Sequence, residues 1–284
     1  MIFREIKSGI VELKSSKKAP TGWQVTNLYL VGIKEKILID TGYPDNELVY
    51  ELKNLSEKEN FKLKKIILTH GHIDHSSNLK ELKDAFSSEI IAFEKEKPIF
   101  ERRKRHTLID RWINEEINIK TELGDLEIIH TPGHTPGHIC LYLKKQKILF
   151  SGDLIVGEGT CVVGPPDGDM RDYFASLERI KNIAPALILP GHGPQINNPL
   201  AHLDQLIAHR KLREIQILKL LEKAPSTAQE LMEKIYIGFI HPALYQVAKV
   251  TVLGHLKKLE DEGKIRGQKE GEEKRYELLI PLPF

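Results

Sequence analysis

Across 284 residues the chain has two cysteines, Cys140 and Cys161, too few for a disulfide scaffold. Both sit in apolar surroundings and are read as inert core thiols. Long hydrophobic runs are missing too. No uninterrupted apolar stretch approaches bilayer length, and the first residues, MIFREIKSGIVELK, lack the apolar centre of a secretory signal. A soluble, cytoplasmic protein is expected. An excess of one charge is also absent: a formal net charge of +2 does not by itself mark a polyanion-binding protein. What remains, 40% hydrophobic and 29% charged residues, is a globular composition, at a length that suits one large domain or a medium domain with an appendage.

Histidine is where the chain concentrates its chemistry. Thr69-His70-Gly71-His72-Ile73-Asp74-His75 places three imidazoles and a carboxylate directly after the apolar run Ile66-Ile67-Leu68. That run reads as a buried strand, so His70 and His72 leave its end toward the same side, with Asp74 and His75 following in the turn. Imidazole and carboxylate together suit zinc, with manganese and iron as alternatives. The cluster is read as metal-binding.

Three later segments repeat the design of a short apolar strand followed by a glycine-containing turn. Leu126-Glu127-Ile128-Ile129 leads to His134, Ile148-Leu149-Phe150 to Asp153, and Leu187-Ile188-Leu189-Pro190 to His192. Strands of one sheet release their loops at a shared edge, so side chains at corresponding strand ends converge. Each segment alone is an ordinary turn. Four in one chain, anchored by the first cluster, form a site.

In the order THGHIDH, TPGHTPGH, SGD and PGHG, these motifs resemble the metallo-β-lactamase superfamily, an α/β fold built as an αββα sandwich with its site at one edge. The resemblance implies that His70, His72 and His134 hold a first metal ion, that Asp74, His75 and His192 hold a second, and that Asp153 bridges them. It further implies that Asp40, at the end of Ile37-Leu38-Ile39, supports the site without binding metal. Two departures narrow the choice. Enzymes that open β-lactams carry Cys or Ser where this chain has Asp153, and flavo-diiron proteins carry Glu where it has His72. Persulfide dioxygenases, with a reduced ligand set on one iron, stay open. The motifs lie too close together for the extra domain of the larger RNA-processing members. The implied cofactors are two zinc ions, with manganese or iron as alternatives, and the implied chemistry is hydrolysis by a metal-bridging hydroxide oriented by Asp74 as the catalytic residue.

After Asp153 a Gly- and Pro-rich loop runs past Thr160 to Asp169, where substrate contacts are expected, with Thr160 as a candidate. Asp169 is the expected N-cap of a helix with Met170, Tyr173, Leu177 and Ile180 on its buried face. Residues 94–121 include the densest basic run, Arg102-Arg103-Lys104-Arg105-His106, read as a solvated face among glutamates including Glu96, or else as a basic rim for a nucleic-acid backbone. Beyond Pro199 the pattern turns helical. Leu206, Ile207, Leu212, Ile215, Leu218 and Leu221 form the expected stripe of a linking helix, and Leu244, Val247, Val250, Leu253, Leu256 and Leu259 that of a later one. Ser226 or Thr227 caps a helix between them, and a hairpin around residues 269–274 completes a winged helix. His138, His202, His241 and His255 lack ligand-like neighbours and are assigned no site role, and neither are His106 and His130.

Residues 1–200 are thus expected to form a catalytic domain, 201–222 a linking helix and 223–284 a winged helix. The whole layout resembles the lactamase-beta-two branch, whose animal members are single-strand endoribonucleases and whose fungal relatives are polyketide-releasing thioesterases. His209 and Arg210 of the linking helix are candidate substrate contacts. A single-stranded RNA endonuclease is the leading expectation. A glyoxalase-II-like thioesterase acting on a small or carrier-bound thioester is the enzyme alternative, and a metal-responsive nucleic-acid-binding regulator the third. The winged helix is read equally as a nucleic-acid contact and as a packing or dimerisation element, so a homodimer stays open.

Overall fold

Strand alternation decides which residues meet in the middle of the molecule. The computed structural model describes residues 2–14 and 25–279; Met1, residues 15–24 and residues 280–284, included in the domain limits expected above, lie outside the described residues. A seven-stranded sheet runs in chain order through β1 (Ile2–Lys7), β2 (Ile10–Lys14), β3 (Asn27–Val31), β4 (Glu35–Ile39), β5 (Lys62–Ile67), β6 (Glu89–Phe93) and β7 (Arg111–Ile113). It is antiparallel up to β4 and parallel from there on. The second sheet has five strands, β8 (Asn118–Thr121), β9 (Gly124–His130), β10 (Ile139–Leu143), β11 (Ile148–Gly152) and β12 (Leu187–Pro190), with β11 and β12 parallel.

Tyr29, Val31, Ile37, Ile39 and Ile67 of the first sheet meet Leu126, Ile128, Ile139, Leu141 and Phe150 of the second in one core. The alternate residues Leu28, Leu30, Leu38 and Ile66 turn outward, where Leu48 and Leu52 of α1 (Asn46–Glu59), Leu79 and Leu82 of α2 (Leu79–Phe86) and Phe100 of α3 (Lys97–Arg102) cover them. On the other side Cys140, Leu149 and Ile188 pack against Tyr173 and Leu177 of α4 (Met170–Ile183) and Leu203 and Ile207 of α5 (Pro199–Lys223). The layers are helix, sheet, sheet, helix, the α/β sandwich the motifs implied. Cys140 and Cys161 are free and buried, and Asp169 caps α4 by accepting from Arg171 N and Asp172 N.

Past the sandwich come α6 (Ala228–Tyr236), α7 (Tyr245–Asp261) and a three-stranded sheet of β13 (Ser226–Thr227), β14 (Ile265–Glu270) and β15 (Glu273–Leu278), a winged helix. Thr227 and Glu230 form a reciprocal capping box at the start of α6. The hairpin turns where Glu270 pairs with Glu273.

The buried face of α5 differs from the expected stripe. Leu212 and Ile215 are 51% and 46% exposed, whereas Arg210 and Glu214 are buried. A helix lodged between two domains covers the positions that face both, and 203, 206, 210, 214, 217 and 221 follow one line at helical spacing whatever their polarity. In α7, Leu256 and Leu259 enter the winged-helix core as expected, while Val247, Val250 and Leu253, and Leu244 just before the helix, are only half-buried.

The winged helix is docked backbone to backbone on the loop after Asp153. A Cβ on Gly254 of α7 would lie 2.3 Å from Val163 O, and one on Gly164 would lie 2.1 Å from Val250 O. Lys257 pairs with Asp169 at 3.1 Å and Lys258 with Glu214 at 3.0 Å beside this contact. Among the described residues no helix is long and apolar enough to cross a membrane.

Candidate metal centre

Four strand ends and one turn deliver the chemistry to a single edge. The chain leaves β5 through Leu68 and Thr69, and the loop that follows carries His70, His72, Asp74 and His75. His134 follows β9, Asp153 follows β11 and His192 follows β12. The structure brings all seven together in three overlapping groups whose ligand atoms lie within 4.8 Å: His70, His72 and His134; His70, His75 and Asp153; Asp74, His75 and His192.

Hydrogen bonds on the far side of each ring set which nitrogen faces inward. His134 Nδ1 lies 2.8 Å from Val162 O, a pure acceptor, so His134 Nε2 presents its lone pair to His72 Nδ1 at 3.0 Å. His75 Nδ1 donates to Asp40 at 2.7 Å, which leaves His75 Nε2 facing His192 Nε2 at 3.2 Å and Asp153 Oδ1 at 3.2 Å. His70 Nε2 is buried with no hydrogen-bond partner. Inward lone pairs on converging imidazoles, one of them orphaned, are the donor set a divalent cation satisfies.

The electrostatics divide the site. Burial and the neighbouring His72 hold His134 down at about 4, and burial with His75 and His72 holds His70 well below the usual range, so both rings are neutral. Burial pulls His192 down as well, but Asp153 and Asp74 outweigh it and push it up to about 10. Burial raises Asp74, yet His75 and His192 bring it down to about 2. The two carboxylates therefore demand positive charge beside them, as protons or as metal ions.

Several supporting residues had no signal of their own in the sequence. Glu96, read above as part of a solvated run, is 1% exposed. Its Oε2 accepts from Gly71 N and its Oε1 from Gly137 N, each at 2.7 Å, so one carboxylate ties the His70–His72 loop to the loop of His134. Burial raises its carboxyl pKa against the pull of Thr135 and both amides. Asn27 Nδ2 donates to Pro190 O and Gly193 O on either side of His192. His138 is buried and accepts from Asp153 N at 3.1 Å through Nε2, which makes it a brace with no free lone pair. Glu96→Gln would set an amide N–H against one backbone N–H. It is expected to cost about 1–3 kcal/mol, read as a lower urea midpoint with an unchanged slope; an unchanged midpoint would remove the bracing role.

Beside the centre lies a cavity of about 700 Å³. His72, Asp74, His134, Asp153 and His192 form one end, with Tyr43 next to them. Burial, Asp74 and Asp153 push the Tyr43 hydroxyl up to about 12, so it remains a hydrogen-bond donor. Thr160 and His209 line the same cavity. Arg210 does not. It is 1% exposed, donates to Cys161 O and lies with its guanidinium 5.2 Å from the Tyr173 ring centre, inside the sandwich. The proposed substrate contact at Arg210 is therefore replaced by one that the sequence did not suggest: Arg213, one turn further along α5, lines the cavity. The far wall belongs to the winged helix and includes Tyr236, Ile240, Leu244 and Val247. From the basic run, Arg102 pairs with Asp167, which also lies 3.5 Å from His72 Nε2, and Arg105 donates to Ser76 O.

Residues 21–192 match the model of the metallo-beta-lactamase superfamily, and residues 227–274 that of the beta-lactamase associated winged helix domain. A beta-lactamase-like protein 2 homolog of Drosophila melanogaster is 33% identical over 285 residues, spanning 95% of this chain and 94% of that protein. The atrochrysone carboxyl ACP thioesterase of Aspergillus fumigatus is 26% identical over 226 residues, 75% of this chain and 69% of that protein. In fold, the chain is similar to a metallo-beta-lactamase family protein of Thermus thermophilus, with a TM-score of 0.78 at 22% identity over 97% of this chain and 100% of the other.

Proposed function

The chain belongs to the metallo-beta-lactamase superfamily of metal-dependent hydrolases, and we propose that within it this protein is a two-metal thioesterase. The observation that carries the reading is the cavity, which is lined both by the ligand-type residues and by aliphatic and aromatic side chains of the winged helix. An RNA path would need a line of free cations and stacking faces. Among the described residues Arg213 is the one Lys or Arg that lines the cavity, while Arg102 and Arg105 of the basic run are held by Asp167 and Ser76. A relative named as an ACP thioesterase supports the same reaction class. The regulator reading loses support because α7, the helix such a module would present to a groove, is packed on the loop at Val163 and Gly164.

The proposed ligands are His70, His72 and His134 for one ion and Asp74, His75 and His192 for the other, with Asp153 between them. Zinc is the proposed metal, with manganese or iron as alternatives. Bound there, a pair of divalent ions supplies an acidified water and polarises the carbonyl under attack. Asp74, ionised at any working pH, accepts a hydrogen bond from the attacking water and fixes its direction. Tyr43 keeps its proton and offers it as a hydrogen bond to the oxygen that gains charge. Water oxygen bonds to the acyl carbon, the C–S bond breaks, the departing sulfur takes up a proton, and a carboxylate and a thiol leave.

Metal-loaded protein is expected to hydrolyse the acetyl and octanoyl thioesters of N-acetylcysteamine and to leave labelled single-stranded RNA intact. A chelator should abolish that activity, and zinc or manganese should restore it. RNA cleavage with both thioesters untouched would reverse the assignment.

A further inference from the structure

We propose that the winged helix is the acyl-binding half of the active site, and that it takes an apolar acyl group carrying a carboxylate at its far end. This rests on the thioesterase reading and adds what the enzyme selects. Tyr236 and Ile240 at the end of α6, and Leu244 and Val247 around the start of α7, face the same cavity as the candidate ligands. Leu244 and Val247 are half-buried because their helix turns them toward this space and away from the winged-helix core, which Leu256 and Leu259 fill. A wall of this kind gains from covering hydrocarbon and from nothing else.

Arg213 breaks the apolar lining. Its guanidinium lies 4.8 Å from the Tyr236 ring centre and donates to Gln216 Oε1, while its Nε is buried with no hydrogen-bond partner. Among the described residues no carboxylate lies within ion-pair distance of it. Glu158, which also lines the cavity, has an interaction of its own. A half-buried guanidinium with no carboxylate partner among the described residues, set on an apolar wall, is a planar recognition site for an oxyanion. The wall is held in place rather than mobile, since the Gly254 and Gly164 contact presses α7 onto the loop whose Val162 carbonyl orients His134.

The test compares metal-loaded wild type, Val247→Trp, Val247→Ala and Arg213→Gln on three N-acetylcysteamine thioesters: acetyl, octanoyl and the octanoyl analogue with a terminal carboxylate. Wild type is expected to favour octanoyl over acetyl in kcat/KM by at least about 10-fold, and the carboxylated chain over octanoyl by a similar factor. Val247→Trp should collapse the octanoyl-to-acetyl ratio, and Val247→Ala should move the preference toward longer chains, which keeps the test alive if the tryptophan variant does not fold. Arg213→Gln should erase the carboxylate advantage. Calorimetric binding of an octyl thioether of N-acetylcysteamine to wild type and weaker binding to Val247→Trp give a readout independent of turnover. Equal rates on acetyl and octanoyl thioesters would overturn the acyl wall. No gain from the carboxylate would overturn the role of Arg213, as would an advantage of octanoyl-coenzyme A over octanoyl-N-acetylcysteamine that Arg213→Gln removes, because Arg213 would then read the carrier's phosphate. Loss of all thioester hydrolysis, acetyl included, would instead sink the thioesterase reading.

Discussion

Asp74→Ala is expected to lower kcat by about a thousandfold while leaving the fold and its urea midpoint close to wild type. Asp74 Oδ2 lies 3.2 Å from His192 Nε2 and 3.6 Å from His75 Nε2, which ties one oxygen to the candidate ligands. The side chain also lines the cavity, and its second oxygen is the one proposed to meet the attacking water. At about 2, this carboxylate is too weak a base to keep a proton, and its contribution is direction and charge. Asp74→Asn separates the two: it preserves an oxygen acceptor but removes a charge, so it should fall between wild type and the alanine variant. Metal content measured beside kcat decides whether the loss comes from an emptied site. Turnover like wild type in Asp74→Ala would end the role proposed for it.

The convergence of the candidate ligands was legible in the chain because each sits just beyond an apolar strand, and strand ends in one sheet share an edge whatever the rest of the fold does. The two-layer core followed from the family resemblance, and the chain builds it by strand geometry. Alternation such as Leu28-Tyr29-Leu30-Val31 sends its residues to opposite faces of one sheet. Glu96 was not legible, since Glu94-Lys95-Glu96-Lys97 carries every mark of a solvated run, and only the arrival of Gly71 N and Gly137 N makes its burial tolerable. The same limit applies on α5. His209 and Arg210 are neighbours in the chain but about 100° apart around the helix, and that rotation puts His209 on the cavity and Arg210 under Tyr173. Leu244 and Val247 were expected on a buried stripe but are only half-buried, since periodicity cannot say whether a stripe faces a core or a cavity.

Asp40→Asn is expected to weaken metal binding at both the His70, His72 and His134 group and the Asp74, His75 and His192 group by about 10–100-fold with little change in stability. Asp40 has φ 59°, a left-handed conformation that asparagine also tolerates, so the backbone is not strained by the change. The effect arises from a chain of donors. Asp40 Oδ1 accepts from Thr69 N at 2.7 Å, and Oδ2 accepts from Thr69 Oγ1 at 2.8 Å and His75 Nδ1 at 2.7 Å. With its own proton spent on Asp40, Thr69 Oγ1 accepts from His70 Nδ1 at 3.0 Å. One carboxylate thus holds the proton of both imidazoles on Nδ1 and leaves both Nε2 lone pairs for a metal. In Asp40→Asn, an oxygen must stay opposite Thr69 N–H, so the amide nitrogen takes the place of Oδ2. It donates toward His75 Nδ1 and Thr69 Oγ1, the threonine hydroxyl turns to donate to His70 Nδ1, and both rings move their proton to the metal-facing nitrogen. Nitrogen shifts of the His70 imidazole in NMR spectra of the metal-free variant should report its reversed tautomer, and competition titration should report the lost affinity. Wild-type tautomers together with wild-type affinity in Asp40→Asn would show that the proton positions of His70 and His75 are set by something other than Asp40.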